Sequence, residues 1–126
     1  MKIVSTSYVN SPGYKDPQKW LQRISFYTGL LEQLGTQYEV ESIEQINYKG
    51  IIKKKSVTYH FLNFNQKKLW FPFALHRYIK KLSPDIVFVN GFVFPFQIIQ
   101  LRKTLGKGVK IIVLHRAEKS FRGIKR

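Results

Sequence analysis

The sequence predicts an α/β fold, a mostly parallel sheet with helices on both faces. Segments of strand character alternate along the chain with segments whose apolar residues recur at helical spacing. The last two strand candidates, Asp85–Val89 and Val109–Leu114, are almost continuously apolar, as in strands that are buried on both faces. With 126 residues and 44% hydrophobic content, the chain is expected to form a single domain over residues 1–126.

The first strand and the first helix open the chain. Lys2–Ser7 begins as an apolar strand and turns polar at its end, and a loop follows it. Asp16 is a suitable N-cap. Pro17 suits the first helical position, because a backbone N–H at that position would have no hydrogen-bond acceptor within the helix. Apolar residues then recur at helical spacing as far as Leu34. Gly35 is expected to end this one long helix as a left-handed cap.

The middle of the chain is predicted to hold two strands and one helix. Tyr38–Ile43 alternates between polar and apolar residues, which is typical of a half-exposed strand. Ile46–Ser56 contains three consecutive lysines and is expected to be a solvated connection. Val57–Phe64 is rich in β-branched and aromatic residues, so it predicts a second strand. Phe71–Leu82 has apolar residues at helical spacing and is predicted to be a helix. The helix is expected to end before Pro84, because the residue before a proline avoids the α region.

The remaining segment predicts a strand, a helix and a last strand. Asp85–Val89 is the central strand, and Pro95 suits the start of a helix that ends at Gly106. Val109–Leu114 is the last strand. Helices that alternate with buried strands indicate parallel pairing with right-handed crossovers. The predicted fold class is therefore Rossmann-like.

Composition narrows the possible chemistry. The chain has no cysteine, which excludes disulfides and cysteine-based zinc sites or nucleophiles. No two histidines have metal-ligand spacing, so a metal site is not expected. No apolar run approaches the roughly 20 residues that a membrane-spanning helix needs, and a cytoplasmic location is the simplest interpretation.

The net charge of +15 is unevenly distributed. Residues 1–63 carry 8 Lys or Arg and 5 Asp or Glu, whereas residues 64–126 carry 14 and 2. Such an excess favours anionic partners, which include nucleic acid, phosphorylated ligands and anionic membrane surfaces. The alternative is that these residues only solvate the faces of helices.

Polar residues collect at three places where a predicted strand ends. Asn10–Tyr14 follows the first strand, Asn90-Gly91-Phe92 follows the fourth, and His115–Lys119 follows the fifth. Ligands of an open parallel sheet bind outside the carboxyl ends of its strands, so these segments predict a binding site. His115 is a candidate general acid or base, or a donor to a phosphate or hydroxyl group. A structural role is the alternative for a lone histidine.

Several familiar motifs are missing. The first-strand loop contains neither G-x-G-x-x-G nor G-x-x-x-x-G-K-[ST], which argues against a dinucleotide fingerprint and a P-loop. The helix start at Pro17–Lys19 offers N–H groups to an anion, although an ordinary turn is the alternative. His60, inside a strand, and His76, on a helix, are weaker candidates than His115. With 7 acidic residues, no pair of catalytic carboxylates is evident.

The order and spacing of these segments resemble the N-terminal domain of GT-B glycosyltransferases, specifically glycosyltransferase family 4 and its relatives. The resemblance is carried by Lys2-Ile3-Val4, by the loop with Ser11-Pro12-Gly13 and by the helix that ends with Leu34-Gly35. It is also carried by the strand from Ser83 to Phe92 (SPDIVFVNGF) and by Ile111–His115 (IIVLH). The chain departs from the family in having Pro12-Gly13-Tyr14 in place of a Gly-Gly pair, and Asn90 in place of a frequent histidine.

The resemblance implies that the chain is the acceptor-binding half of a sugar-nucleotide-dependent glycosyltransferase of cell-envelope or polysaccharide synthesis. A C-terminal donor-binding domain with a Glu-x7-Glu motif is expected outside this chain, so the fragment alone is expected to be inactive. His115 would face the donor sugar as the catalytic residue, and Gly13 would lie near the donor phosphates. No cofactor is implied: the sugar nucleotide is a substrate, the acceptor is a glycan or a lipid-linked glycan, and catalysis is metal-independent. The residues expected to bind substrate are Pro12, Gly13, Tyr14, Asn90, Gly91, Arg116, Glu118 and Lys119.

Many enzymes of this family bind anionic membranes through the N-terminal domain, because their acceptors are lipid-linked. The resemblance therefore implies a peripheral location on the inner face of the membrane. Each basic residue near such a surface contributes about 1 kcal/mol. The residues expected to make this contact are Lys53, Lys54, Lys55, Lys67, Lys68, Trp70, Arg77, Lys80 and Lys81, together with Phe71, His76 and Tyr78.

Two other functions remain open from the sequence. A nucleic-acid-binding module is favoured by the charge and the interleaved aromatic residues, but the chain has no helix-turn-helix, RRM or zinc-finger pattern. The other is a standalone flavodoxin-like regulatory or interaction domain. It lacks the acidic cluster at the strand ends that a phospho-receiver would need.

Overall fold

The computed structural model describes residues 1–91 and 94–114 as a six-stranded sheet with five helices. The elements are, in chain order, β1 (Lys2–Ser7), α1 (Pro17–Arg23), α2 (Ser25–Leu34), β2 (Glu39–Gln45), β3 (Gly50–Lys54), β4 (Val57–Leu62), α3 (Gln66–Trp70), α4 (Phe73–Lys81), β5 (Ile86–Asn90), α5 (Pro95–Leu105) and β6 (Lys110–Leu114).

The strands are arranged in the order β3-β4-β2-β1-β5-β6. All neighbouring pairs are parallel except β3 and β4, which form an antiparallel pair at one edge. β1 is central, with β2 on one side and β5 on the other. The direction in which the chain winds therefore reverses between β1 and β5, and a Rossmann-like fold has its binding crevice at such a point. The predicted fold class is confirmed.

Two hydrophobic clusters cover the two faces of the sheet. Ile3 and Val4 are neighbours on β1 but belong to different clusters, as the two-residue period of a strand requires. Leu75 of α4 and Leu101 of α5 pack in the cluster of Val4. Leu21 of α1 packs in the cluster of Ile3, together with Leu31 of α2. Helices on both faces were predicted, and the structure confirms them.

The prediction of one long helix from Pro17 to Leu34 is wrong in one respect. Ile24, with φ −100° and ψ 29°, leaves helical geometry and divides the segment into α1 and α2. The N-cap is confirmed, because the Asp16 side chain accepts a hydrogen bond from the backbone N–H of Gln18 at 2.9 Å.

Gly35 is not the left-handed cap that the sequence predicts. Its φ of −67° is right-handed. A Cβ at this position would lie 2.7 Å from the carbonyl oxygen and 2.8 Å from the Cβ of Ser56, in the turn between β3 and β4. The Ser56 hydroxyl donates to the carbonyl of Glu32, which holds this turn against the end of α2. Glycine is required here by a close approach of two segments, not by its own backbone angles.

Two expectations for the middle of the chain are corrected. The strand predicted as half-exposed at Tyr38–Ile43 is β2, and it is buried continuously from Val40 to Gln45, because it lies between β1 and β4 under helices on both faces. The connection predicted at Ile46–Ser56 contains the edge strand β3. Its lysines face solvent, as is typical of edge strands that resist pairing with other chains.

The helical region after β4 is also more divided than predicted. α3, which Asn65 caps by accepting from the backbone N–H of Lys68 at 2.9 Å, has no predicted counterpart. α4 begins at Phe73, because Pro72 takes the N-cap position. The other predicted strands agree with β1, β4, β5 and β6 to within two residues.

Candidate functional site

A hydrogen-bonded polar cluster lies at the carboxyl edge of the sheet, where β1 and β5 end. Asn90 is buried, and its side-chain amide donates to the hydroxyls of Ser5 at 2.9 Å and Tyr27 at 2.7 Å. The two hydroxyls are also hydrogen-bonded to each other. A longer contact of 3.4 Å joins the amide to the carbonyl of Thr6. Two elements, β1 and α2, therefore hold the side chain of Asn90 in one orientation at the end of β5.

A carboxylate lies beside this cluster, at the carboxyl end of β2. Glu44 is 8% exposed. Its Oε1 accepts from the indole Nε1–H of Trp20 at 2.9 Å, and its Oε2 accepts from the Ser42 hydroxyl at 2.5 Å. Burial of a carboxylate is costly unless donors compensate for the lost water. These two donors therefore both stabilise Glu44 and fix the direction of its oxygens.

Trp20 lines two cavities. An open cleft of about 390 Å³ is lined by Ser11, Tyr14, Trp20, Arg23 and Ile24. A small cavity of about 50 Å³ shares Trp20 and Ile24 with it and reaches Asn90 and Glu44. We call the two together the Trp20 cleft. It combines hydroxyl, amide, carboxylate and guanidinium groups around an aromatic wall, which is the composition of a site for a small polar ligand.

The first-strand loop contributes to the cleft only at its ends. Ser11 and Tyr14 line the cleft, and the Tyr14 ring contacts the Trp20 ring edge-on with centroids 4.9 Å apart. Backbone hydrogen bonds hold this loop against the end of β2, since Ser11 N–H donates to the Gln45 carbonyl at 2.9 Å. The predicted ligands Pro12 and Gly13 are exposed on the loop and are not among the cleft-lining residues.

The other predicted ligands fall into two groups. Asn90 lines the cleft, and Gly91 follows it with φ +84°, a backbone conformation that favours glycine. The remaining substrate-binding candidates and the catalytic candidate His115 lie outside the described residues, and their roles stay predictions: His115, Arg116, Glu118 and Lys119.

The start of α1 does not form the anion site that the sequence suggested. The Asp16 carboxylate already accepts from the N–H of Gln18, so a negative charge occupies the position that an anion would take. α1 also has only 7 residues.

His76 is part of the core and is not a surface contact, which corrects its predicted place in the membrane surface. It is fully buried, with its Nε2 2.6 Å from the Tyr8 hydroxyl and its Nδ1 2.5 Å from Oε1 of Gln100. An amide oxygen can only accept, so Nδ1 carries the proton and Nε2 accepts from Tyr8. Burial lowers the pKa of His76 to about 4, although the hydrogen bond to Gln100 acts in the opposite direction.

His60 is also structural. It contacts the Glu41 carboxylate through Nε2 and the Tyr78 hydroxyl through Nδ1 at 2.7 Å. Lys2 Nζ lies 2.8 Å from the same carboxylate. Burial raises the pKa of Glu41, but the hydrogen bonds from Lys2 and His60 outweigh burial and lower it overall. These residues connect β1, β2, β4 and α4 inside the fold.

The buried His76 predicts a dependence of stability on pH. Its pKa is about 4 in the folded protein against an ordinary value of 6.5, so the unfolded chain binds more protons between these values. The free energy of unfolding should therefore be highest above pH 6.5 and fall as the pH is lowered toward 4, by about 3 kcal/mol from this residue. Urea denaturation across this range measures the slope. His76→Gln should have a visibly shallower slope, and equal slopes would contradict the assignment.

An aromatic patch forms a second surface feature, away from the Trp20 cleft. The Phe96 ring contacts the rings of Phe71 and Phe73, with centroids 6.0 and 6.1 Å apart. Their neighbours Trp70 and Phe94 extend the patch, and all five side chains are between 45% and 62% exposed. We call these five residues the aromatic patch. An exposed apolar cluster of this kind usually marks an interaction surface.

The helices that carry the aromatic patch are cationic. α3, α4 and α5 contain no carboxylate. Their seven basic residues are all exposed: Lys67, Lys68, Arg77, Lys80, Lys81, Arg102 and Lys103. The predicted Lys53, Lys54 and Lys55 are exposed too, but they lie at the end of the edge strand β3, where Lys55 is 3.7 Å from Glu32. The basic residues therefore form more than one surface.

Two further observations concern the part of the chain that the structure describes. None of its helices has the length and apolar content that crossing a bilayer requires. Its His, Asp and Glu side chains nowhere gather in a group of three that could hold a metal ion.

Comparison with family models, curated proteins and solved structures gives no match.

Sequence reasoning missed several residues of the site, including Trp20 and Arg23. Ser5 and Ser42 lie inside strands, Tyr27 was assigned to the apolar stripe of a helix, and Glu44 follows the predicted end of its strand. One signal was present: the run Ser5-Thr6-Ser7 is unusually polar for the end of a central strand.

Proposed function

We propose that the chain is the acceptor-side half of a sugar-nucleotide-dependent glycosyltransferase that acts in cell-envelope or polysaccharide synthesis. The single observation that carries the proposal is the Trp20 cleft at the carboxyl edge of a Rossmann-like sheet. Tyr14 and Asn90, which the family resemblance assigns to substrate, both border it. Hydroxyl, amide and carboxylate side chains line the cleft, and these are the group types that hydrogen-bond sugar hydroxyls.

A nucleic-acid-binding role is the main alternative, and titration with DNA separates the two. If the chain is part of a transferase, we expect only weak DNA binding, with an affinity that falls steeply as the salt concentration is raised. The reason is that basic side chains would then contact the DNA only through electrostatic attraction to its phosphates. The measurement is the Kd for duplex and single-stranded DNA at several salt concentrations. Tight binding that persists at physiological salt would count against the transferase as the main role.

The aromatic patch supports a second proposal about location: the protein is cytoplasmic and binds peripherally to an anionic membrane surface. Its aromatic side chains are those that favour the membrane–water interface. The basic residues of α3, α4 and α5, helices that contain no carboxylate, would attract anionic headgroups, each contributing about 1 kcal/mol near the surface. A lipid-linked acceptor would then be presented to the cleft in the same plane.

Vesicle binding tests the membrane proposal. The triple variant Phe71→Ser, Phe73→Ser, Phe96→Ser should bind phosphatidylserine vesicles at least ~10-fold more weakly, because three half-exposed rings no longer insert. The matched control is Phe26→Ser with Leu30→Ser, which removes exposed apolar groups from α2 on the other face. Equal losses in both variants, or no binding of the wild-type protein, would contradict the proposal. Cosedimentation gives the affinities.

A further inference from the structure

An apolar pocket lies at the β3–β4 edge of the sheet, on the side of α4. Its volume is about 400 Å³, within the range of small-molecule sites, which is roughly 300 to 1,000 Å³. It shares no lining residue with the Trp20 cleft. We call it the edge pocket. Its apolar walls include Ile51, Leu62 and Phe64, and its polar lining residues are Lys49, Asn63 and Tyr78.

The uncharged polar side chains that line the edge pocket already have partners. The Tyr78 hydroxyl is hydrogen-bonded to Nδ1 of His60 at 2.7 Å. The Asn63 side chain accepts from Asn10 at 3.2 Å and donates to Asn47 at 3.2 Å. These groups therefore need no hydrogen bond from a ligand. The apolar walls, by contrast, are stabilised when an apolar chain displaces water from them.

Cationic groups lie beside this apolar pocket. Lys49 is exposed, and it is the only charged side chain among the described residues that line the pocket. The ammonium group of Lys68, on α3, lies 5.9 Å from the centre of the Phe64 ring. The wall elements β3, β4 and α4 contain no carboxylate. An anionic group at the rim would therefore be attracted by two ammonium groups, with no carboxylate on these elements to oppose it.

We propose that the edge pocket binds a single-chain anionic amphiphile. The alkyl chain packs against Ile51, Leu62 and Phe64, and the headgroup, a phosphate or a carboxylate, lies beside Lys49 and Lys68. Burial of the chain supplies most of the affinity, and the two lysines select a negative headgroup. The ligand enters as a single molecule from solution, in contrast to the membrane contact proposed for the aromatic patch. Because the pocket is separate from the Trp20 cleft, this binding does not depend on the transferase proposal.

Calorimetric titration with soluble alkyl phosphates tests the proposal. Butyl, hexyl and octyl phosphate are titrated separately below the concentrations at which they form micelles, with 1-octanol as the uncharged ligand and octanoate as the carboxylate. Full burial of one methylene would tighten binding roughly fourfold, and we expect about threefold per methylene because the pocket is open to solvent. Octyl phosphate should therefore bind at least ~30-fold more tightly than butyl phosphate. It should also bind at least ~10-fold more tightly than 1-octanol, which has no charge for the lysines to attract. The tighter ligand of octyl phosphate and octanoate identifies the headgroup.

Ile51→Glu places a carboxylate at the pocket. Ile51 is 64% exposed, so the fold should tolerate the change. The variant should bind octyl phosphate at least ~10-fold more weakly, because a like charge then faces the headgroup. Ile99→Glu is the matched control: Ile99 is 59% exposed on α5, and the change in net charge is the same. Its affinity should stay within about twofold of the wild type, because solvent screens a distant exposed charge.

Four results would overturn the proposal: no saturable binding of octyl phosphate, equal affinities for butyl and octyl phosphate, equal affinities for octyl phosphate and 1-octanol, or equal affinities in folded Ile51→Glu and Ile99→Glu. If circular dichroism shows that Ile51→Glu does not fold, the backbone amide signals of the wild-type protein locate the ligand. Octyl phosphate should shift the signals of Gly50, Leu62 and Phe64, and shifts confined to the aromatic patch would overturn the edge pocket. Either failure would leave the transferase proposal in place.

Discussion

Gly35→Ala should lower the free energy of unfolding by about 3 kcal/mol, because the new methyl group has no room. A Cβ at Gly35 would lie 2.7 Å from the backbone carbonyl oxygen of Ser56, and backbone yields less readily than the end of a flexible side chain. The substitution would push the turn between β3 and β4 away from the end of α2. The hydrogen bond from Ser56 to the Glu32 carbonyl would be strained as well.

Gly29→Ala is the matched control, since it makes the same change inside α2. A Cβ there meets nothing within 4 Å. The variant should therefore be stabilised by about 0.5 to 1 kcal/mol, the helix preference of alanine over glycine. Urea denaturation of both variants measures the difference. If the two substitutions shift stability in the same direction by similar amounts, the close approach at Gly35 does not control stability.

Asn90→Ala should affect both stability and activity. It removes the donor shared by the Ser5 and Tyr27 hydroxyls and leaves a buried polar void, which should lower the free energy of unfolding by about 2 to 3 kcal/mol. In the proposed full-length transferase, turnover should fall at least ~10-fold, because the orientation of the groups at the cleft floor is lost. Denaturation and a sugar-transfer assay measure the two effects separately.

Asn47→Ala provides the comparison for Asn90. Asn47 is an exposed amide whose side-chain oxygen accepts from Asn63 at 3.2 Å, away from the cleft-lining residues. Its loss should change stability by less than about 0.5 kcal/mol and leave turnover as in the wild type. Full turnover in a folded Asn90→Ala enzyme would remove Asn90 from the site and weaken the case for the cleft.

The regular helices and strands of this fold were predictable where the sequence pattern of a segment matches the burial of that segment in the structure. Ile86–Val89 is apolar throughout, and the structure places it inside the sheet in β5, between β1 and β6. The Asp16 cap was predictable for the same reason, since it depends only on adjacent residues. These signals need no knowledge of what lies elsewhere in the chain.

The predictions are wrong where the structure of a segment depends on contacts with residues far away in the sequence. The alternation of Tyr38–Ile43 predicted an exposed face, but polar residues such as Glu41 and Ser42 are buried in hydrogen bonds to other side chains. Gly35 was assigned to a left-handed cap because glycine is common there, whereas the actual requirement is the approach of Ser56.

The candidate site was only partly predictable. Site residues that directly follow a strand were predictable. Ligands of an open parallel sheet bind outside the carboxyl ends of its strands, so this prediction needs only the strand boundaries. Trp20 and Tyr27 recur at helical spacing, so they were indistinguishable from core residues until the bonds of Trp20 to Glu44 and of Tyr27 to Asn90 were known.

The proposed function predicts that the protein transfers sugar from a nucleotide donor. The most direct measurement uses protein expressed from the full gene, incubated with a panel of labelled sugar nucleotides and with lipid and glycan extracts as acceptors. We predict incorporation of label from one sugar nucleotide into one acceptor class, with the anomeric configuration of the donor retained. If no sugar nucleotide yields a labelled product while the same protein is folded and binds DNA at physiological salt, the glycosyltransferase account is wrong.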